Sequence, residues 1–221
     1  MPTQAVEDYL KAIYMVAASG DDAGVSAVAR RLGVAAPSAS AMVKRLAAQG
    51  LATHEPYGAV RLTREGERRA LRVVRRHRLL ETFLHQVLDV PWDEVHEEAE
   101  ILEHAISERL EERIDAVLGH PDRDPHGDPI PPLAGAHNEI DDRPLRGLAA
   151  GTVVRVERVT HQAPDALRYL AGIGVTPGAE VMVGEEAPFG GPVWVSTAGT
   201  HHALGPELAN EIFVSPLEVA R

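Results

Sequence analysis

The amino-acid sequence predicts a mainly α-helical protein with additional β-structure, arranged as a winged helix-turn-helix, a helical domain and an SH3-like small β-barrel. Apolar residues recur with the helical period in most segments up to residue 118. A hairpin pattern interrupts them around residue 57, and the alternation typical of strands begins at residue 150. We therefore expect domains at residues 1–74, 75–140 and 150–221, with a linker at 141–149.

The composition restricts the class of protein. The 221 residues include no cysteine, which excludes disulfides, thiolate zinc sites and cysteine catalysis. The sequence contains neither a secretory leader pattern nor a run of about 18 apolar residues. We therefore expect a cytoplasmic protein with no membrane partner.

Charge is distributed unevenly along the chain. Residues 1–76 contain 12 Lys/Arg and 7 Asp/Glu, whereas residues 77–140 contain 4 and 16. The basic N-terminal third suits a polyanion, and the acidic middle suits cations or the paired helices of a dimer. The net charge of −11 is therefore compatible with nucleic-acid binding.

The first 51 residues predict three helices. Residues 5–16 carry an apolar stripe with the helical period. Residues 25–34 form a short helix closed by Gly33, and residues 36–51 form another that has Pro37 in its first turn. Two short helices joined by a tight turn are a helix-turn-helix pattern.

A β-hairpin and a run of arginines follow these helices. Residues 51–55 and 59–63 flank the turn Pro56-Tyr57-Gly58, and seven arginines lie between residues 61 and 76. Polar residues that begin the second helix of such a motif can reach bases, while basic residues neutralise phosphates. A small helical domain without a ligand is the alternative, but this pattern favours double-stranded DNA as the partner. The expected DNA-binding residues are Ser26, Pro37, Ser38, Ser40, Lys44, Arg45 and Arg61.

Residues 77–112 combine histidines and carboxylates with helical spacing. A Val-Pro pair at 90–91 separates them into two predicted helices. His77 and Glu81 are spaced i, i+4 on the first. Four further residues would share one face of the second: His96, Glu100, Glu103 and His104. Imidazole and carboxylate groups without thiolate suit Mn²⁺ or Fe²⁺, so these residues predict a metal site. The alternative interpretation is an acidic helix face exposed to solvent.

The same helices carry more apolar residues than one metal-binding face could cover, which predicts a symmetric homodimer. A two-fold dimer also matches paired DNA half-sites. Residues 119–132 are rich in proline and glycine and are expected to be irregular, so we interpret His120 and His126 as loop residues.

The C-terminal part predicts a small β-barrel. Strands are expected at 151–159, 193–196 and 211–214, a turn leading into a further strand at 175–183, and a short helix at 166–170. Short strands with Gly/Pro turns over about 70 residues fit a barrel of the SH3 type.

Taken in order, these segments resemble the diphtheria-toxin-repressor family of metal-dependent transcriptional regulators, in its three-domain form. The resemblance is carried by EDYLKAIY at 7–14, the winged-helix pattern, RHRLLE at 76–81, VHEEAE at 95–100 with Glu103-His104, and PHGDPIP at 125–131. The C-terminal part resembles the SH3-like (FeoA-like) domain of the iron and manganese branches. The resemblance implies a homodimeric repressor of metal-homeostasis genes, with a helical metal-binding and dimerisation domain and no enzymatic activity.

The resemblance also implies two metal sites per subunit. The primary site would be formed by Asp8, Glu100, Glu103 and His104. By local pattern alone, Asp8 would be a residue that compensates the helix dipole. The ancillary site would be formed by His77, Glu81, His96, Gln162 and Asp165, with His161 close enough in sequence to compete with the last two.

Departures from the family pattern bear on the metal. Asp8 and Glu100 stand where iron-type members have Met and Cys, and carboxylates there are typical of manganese-responsive members. Mn²⁺ is therefore expected, with Fe²⁺ as the alternative. Lys11 stands where two-domain manganese regulators have an acid, which favours two separated sites. Ala41 stands where the family often has a base-reading polar residue, so base preference does not follow from the resemblance.

Two other functions fit parts of the sequence. A metal-binding hydrolase would need an open coordination position with a nearby base or nucleophile, and no Gly-x-Ser-x-Gly, phosphate loop or His-Glu-x-x-His is present. A winged-helix regulator could instead sense a non-metal ligand. The metal-dependent regulator requires no small-molecule substrate. The three functions can be distinguished by measuring the metal content of the purified protein and its DNA binding before and after chelation.

Overall fold

A computed structural model describes residues 3–18, 23–54, 58–133, 141–161 and 163–217. These residues form two compact units. The first comprises the described residues up to His77, together with Glu103–Ala105 and Pro131–Leu133. The second comprises the other described residues. Within the first unit, the carbonyl of Pro131 accepts a hydrogen bond from the guanidinium of buried Arg75, at 2.9 Å.

The first unit contains a winged helix. Its elements are α1 (Gln4–Ala18), α2 (Val25–Arg31), α3 (Ala36–Ala48) and the antiparallel strands β1 (Ala52–His54) and β2 (Val60–Leu62). The apolar stripe of α1 is buried with those of α2, α3 and the hairpin. The winged helix-turn-helix prediction is confirmed, although the tip of the wing, residues 55–57, lies outside the described residues.

One long helix, α4 (Arg64–Leu88), follows the wing, and the boundary between the units falls within it, after His77. Thr63 precedes it as an N-cap, its hydroxyl accepting a hydrogen bond from the backbone N–H of Gly66 at 3.1 Å. Gly66 lies against the backbone of Leu51, just before the hairpin. A Cβ on Gly66 would be only 1.9 Å from the carbonyl oxygen of Leu51, so a larger residue does not fit there. The helix ends just before the predicted proline break.

The region expected to form the second metal-binding helix consists of two helices. α5 (Val95–Leu102) ends before Glu103, and α6 (Glu108–Val117) begins after the connection 103–107. The expectation of four donors on one helix is therefore wrong, because Glu103 and His104 lie beyond its end. The cause is local: Ser107 caps α6 by accepting a hydrogen bond from the backbone N–H of Leu110 at 3.3 Å. Acidic residues in the first turn of α6 further favour a new helix start.

The helices of the second unit bury one apolar cluster and expose other apolar residues. The cluster contains Leu79, Leu80, Leu84, Val95, Ala99, Ile114 and Ile130. The exposed residues are Val87, Leu88, Ile101, Leu110 and Val117. Within the described ranges, no helix is both long and apolar enough to cross a membrane.

The C-terminal part of the second unit, from residue 143, is built on an antiparallel sheet, which confirms the SH3-like prediction. It contains β3 (Arg143–Pro144), β4 (Val153–Val159), α7 (Pro164–Gly172), β5 (Glu180–Glu186), β6 (Val193–Thr197), β7 (Thr200–Leu204), α8 (Pro206–Asn210) and β8 (Ile212–Pro216). The strand order is β3-β8-β4-β5-β6-β7, around a core of mostly Val and Leu side chains.

The segment 141–149, predicted to be a linker, is instead partly built into this sheet. β3 pairs with β8, and Leu145 is fully buried in the core. A two-residue strand is too short to produce an alternating pattern, so the sequence does not reveal it.

Candidate metal centres

Three donor side chains converge in the first unit: Asp8 on α1, and Glu103 and His104 in the connection after α5. One donor atom of each lies within 4.8 Å of the others. Nε2 of His104 is 2.7 Å from Oδ1 of Asp8 and 3.4 Å from Oε1 of Glu103. The end of α5 makes this possible, because Glu103 and His104 are freed from the helical spacing that the sequence predicted.

The donor atoms of this cluster fit a divalent cation. Oε1 of Glu103 and Nε2 of His104 are buried and make no hydrogen bond. The approach of Asp8 to Nε2 is short, but it lacks the geometry of a hydrogen bond. Leaving a buried polar atom without a partner costs about 1–3 kcal/mol, which a bound cation would offset. Two carboxylates and one imidazole, without sulfur, suit Mn²⁺ or Fe²⁺.

The other polar atoms of these two ligands have partners. Nδ1 of His104 is 2.8 Å from Oε2 of Glu7. Oε2 of Glu103 accepts from Nζ of Lys11 at 2.7 Å and lies 2.6 Å from Nδ1 of His77. Lys11 is also 3.0 Å from that Nδ1, which can donate to Glu103 or accept from Lys11 but cannot do both. The side chains of Lys11 and Glu103 are 11% and 0% exposed, so they form a buried ion pair.

A second cluster lies in the second unit, where Glu81, Asp124 and His126 are all buried and their donor atoms lie within 4.8 Å of one another. Nδ1 of His126 is 3.8 Å from Oε2 of Glu81 and makes no hydrogen bond, while its Nε2 is 2.8 Å from the carbonyl oxygen of Trp92. A neutral imidazole that donates from one nitrogen to a carbonyl presents the lone pair of the other, the arrangement typical of metal-binding histidines, so a metal bound here would displace the Nδ1 proton of His126. The other oxygen of Glu81 is 3.1 Å from Nδ1 of His96.

The electrostatics of this second cluster also favour a cation. Burial lowers the pKa of His126, but the carboxylates of Glu81 and Asp124 outweigh burial and raise that pKa to about 9. Burial, reinforced by the charges of Glu81 and Asp128, raises the pKa of Asp124 well above its usual value, against the opposing effect of Arg78. Buried carboxylates that repel one another are stabilised by positive charge, which protonated His126 supplies at neutral pH and which a bound cation would supply in its place.

The loop that carries this cluster has a defined conformation. Oδ1 of Asp124 accepts hydrogen bonds from the backbone N–H groups of His126 at 2.9 Å and Asp128 at 3.0 Å. Gly127 has φ +86°, and a Cβ there would be 2.0 Å from the carbonyl oxygen of Glu157. The interpretation of His126 as an ordinary loop residue was therefore incomplete. The sequence Asp-Pro-His-Gly at 124–127 places two donor side chains next to a glycine suited to a tight turn. This pattern could have indicated a metal-binding cluster.

The remaining predicted ligands have other surroundings. Glu100 is exposed on α5, and its Oε1 is 3.7 Å from Nε2 of His96. The structure does not bring Asp165 to the second cluster, because its side chain is 96% exposed and pairs with Arg168. His161 pairs with Glu211. Gln162 lies outside the described residues.

The predicted DNA-binding residues lie on the surface of the winged helix. Pro37 occupies the first turn of α3, as expected. Ser40 is half-buried on the same helix. The others are exposed on α2, α3 or β2: Ser26, Pro37, Ser38, Lys44, Arg45 and Arg61. Their contact with DNA remains a prediction.

Comparison with protein-family models gives three matches that together span most of the chain. Residues 1–60 match the N-terminal DNA-binding domain of iron-dependent repressors. Residues 63–132 match the iron-dependent repressor metal binding and dimerisation domain, and residues 143–216 match the FeoA domain.

Whole-chain relatives agree with these matches. The iron-dependent repressor IdeR of Mycobacterium bovis is 34% identical over 220 residues, covering 94% of this chain and 95% of the relative. The diphtheria toxin repressor of Corynebacterium glutamicum is 29% identical over 222 residues, covering 96% of each chain. A solved structure described as a manganese-dependent transcriptional repressor in complex with manganese is 45% identical, with a TM-score of 0.90 over 96% of this chain and 100% of that chain. The chain therefore belongs to the diphtheria-toxin-repressor family of metal-dependent transcriptional regulators.

Proposed function

We propose that this protein is a DNA-binding transcriptional repressor that responds to Mn²⁺, with Fe²⁺ as the alternative metal. The observation that carries the proposal is the convergence of Asp8, on a helix of the winged-helix unit, with Glu103 and His104 from the connection between α5 and α6. The printed descriptions of its relatives, iron-dependent and manganese-dependent repressors, support it.

Asp8, Glu103 and His104 would hold the primary ion, with Glu100 as a further predicted ligand. A bound divalent cation supplies positive charge that offsets the carboxylates and joins donors from separate elements. Carboxylate oxygens at positions 8 and 100 favour Mn²⁺ through ligand type and coordination number.

The same residues would make DNA binding depend on the metal. Asp8 belongs to α1, whereas Glu103 and His104 are covalently joined to α5 and α6, so holding them together restricts how these elements move. Such a restriction acts as a switch only if the ordered arrangement binds the metal more tightly than the alternatives. A shift from 1:99 to 99:1 needs about 10⁴-fold tighter binding, or roughly 5.5 kcal/mol.

Glu81, Asp124 and His126 support a second ion per subunit, with His96 as a neighbouring donor. This set keeps two of the predicted ancillary ligands, Glu81 and His96, and adds two residues from the loop after α6. We therefore propose two ions per subunit. Lys11, which stands in place of an acid and pairs with Glu103, favours separated sites.

The proposed partners are a DNA operator and a second copy of this chain. The exposed apolar residues of α4, α5 and α6 supply the surface that a homodimer would bury. We propose that the protein acts by binding alone, without catalysis, as the descriptions of its relatives imply.

The first experiment tests the primary site. An operator is selected from random duplexes with Mn²⁺-loaded protein, and gel-shift titrations then compare wild type with Asp8→Ala. Wild type should bind after chelation only when Mn²⁺ is restored, and Asp8→Ala should remain a folded dimer that Mn²⁺ no longer stimulates. The control is Asp141→Ala, which removes an exposed carboxylate. Unchanged metal dependence in Asp8→Ala would exclude the primary site.

A second titration tests the choice of metal. Under anaerobic conditions, Mn²⁺ should activate operator binding at a lower free concentration than Fe²⁺. Equal or better activation by Fe²⁺ would contradict the carboxylate argument. Operator binding that survives complete chelation would point to a regulator of a non-metal ligand.

A further inference from the structure

Each ring nitrogen of His104 lies close to a carboxylate of α1, and the two carboxylates belong to adjacent residues. Nε2 lies 2.7 Å from the carboxylate of Asp8, and Nδ1 lies 2.8 Å from the carboxylate of Glu7. The side chains of His104 and Glu7 are 10% and 19% exposed, so water competes little for the Glu7 contact. Glu7 is not among the predicted ligands, and nothing in the proposed function uses it.

The usual explanation of Glu7 is its position in the first turn of α1, where a carboxylate is stabilised by the helix dipole. That explanation requires no partner. The contact with His104 is a second observation, because it has the geometry of a hydrogen bond whereas the approach of Asp8 to Nε2 does not. A carboxylate can only accept, so Nδ1 must carry the proton, and a neutral ring then has its lone pair on Nε2.

Nε2 is also the nitrogen that faces Asp8 and Glu103 and makes no hydrogen bond. Metal-binding histidines commonly donate their other N–H to a carboxylate, which fixes the tautomer and ring orientation and raises ligand basicity. We propose that Glu7 is a positioning residue that holds the His104 ring with Nε2 directed into the primary metal site. This inference rests on the proposed function.

The test separates the hydrogen bond of Glu7 from its charge. Glu7→Asp keeps the charge but shortens the side chain by one methylene, so it should lose the 2.8 Å contact. Glu7→Gln loses the charge but keeps an acceptor oxygen at the same reach, and Glu7→Ala loses both. Mn²⁺ affinity of the purified full-length protein is measured by titration calorimetry, with folding checked by circular dichroism and dimerisation by sedimentation.

Loss of such a supporting contact typically weakens metal affinity by about 10- to 100-fold, so Glu7→Asp and Glu7→Ala should fall in that range. Glu7→Gln should lose less than Glu7→Ala. The matched control is Glu67→Gln, which removes an exposed carboxylate of the same unit and should bind Mn²⁺ like wild type. Wild-type affinity in Glu7→Asp would overturn the proposal, whatever the result for Glu7→Gln.

A direct measurement does not depend on any variant. In Zn²⁺-loaded wild type, nitrogen-15 NMR of His104 should show a protonated Nδ1 and a metal-bound Nε2. A metal-bound Nδ1 would overturn the proposal even if every variant weakens binding. If Asp8→Ala also binds Mn²⁺ with wild-type affinity, the proposed primary site itself fails, which distinguishes that failure from a failure of the role of Glu7.

Discussion

Replacing Lys11 by Met tests whether the buried ion pair beside the primary site contributes to stability. Methionine keeps an unbranched side chain but removes the ammonium that donates to Oε2 of Glu103 at 2.7 Å. The Glu103 side chain is fully buried, so its carboxylate would lose a charged partner without gaining water. His77 would remain as the partner of Oε2, at 2.6 Å.

The expected loss follows from this burial. Removing one partner of a buried ion pair costs about 3–5 kcal/mol, because the other charge is left uncompensated. Because His77 remains in contact with Glu103, we expect Lys11→Met to lose stability at the lower end of this range, about 3 kcal/mol. In a chain of this size each kcal/mol lowers Tm by about 2–4 °C, so Tm should fall by about 6–12 °C.

The assay is thermal unfolding by circular dichroism in the presence of a chelator, so that bound metal does not contribute to stability. Lys44→Met is the matched control, because Lys44 is exposed on α3 and the same substitution there should stay within about 0.5 kcal/mol of wild type. A Tm for Lys11→Met within a degree or so of wild type would refute the reasoning.

A double-mutant cycle tests the same pair independently. If Lys11 acts through Glu103, then Lys11→Met combined with Glu103→Gln should lose clearly less stability than the two single variants together. Residues in contact typically couple by about 0.5–3 kcal/mol. Strict additivity would show that Lys11 stabilises the protein by some other contact.

Two further substitutions test the fold and the second metal cluster. Gly66→Ala should cost about 1–3 kcal/mol in urea unfolding, because its Cβ would overlap the carbonyl of Leu51. Gly172→Ala, where no atom lies within 4 Å of the new Cβ, should be close to neutral, and equal losses in the two variants would contradict the steric argument. His126→Ala should lower the Mn²⁺ content of the protein by one ion per subunit, and Asp8→Ala should remove the other ion. Retention of two ions in His126→Ala would exclude His126 as a ligand.

The winged helix and the strands β4, β5, β6 and β8 could be predicted because their patterns are local, whereas β3 and β7 were not predicted. The apolar stripe of α1 and the turn residues of the hairpin act on neighbours within a few positions, and the structure places helices and strands close to where they were expected. The break between α5 and α6 was also predictable in principle. Ser107, followed by acidic residues in the next turn, is a local N-cap pattern, whereas the helical spacing of the donors predicts one continuous helix.

The sequence by itself determined the kinds of donor available and excluded others. Carboxylates and imidazoles without any cysteine restrict the metal to borderline or harder ions, and that conclusion needs no coordinates. The resemblance to a known family identified Asp8 as a partner of Glu103 and His104, although about ninety residues separate them.

Only the tertiary structure decided which donors meet. Burial of the loop after α6 brings His126 and Asp124 to Glu81, and packing brings Glu7 and Lys11 to the two candidate ligands that follow α5. Such contacts join residues far apart in sequence and depend on how helices end and pack, which spacing along one helix does not encode. The sequence therefore determined the chemistry of the candidate metal centres, and the packing of distant segments decided which residues form them.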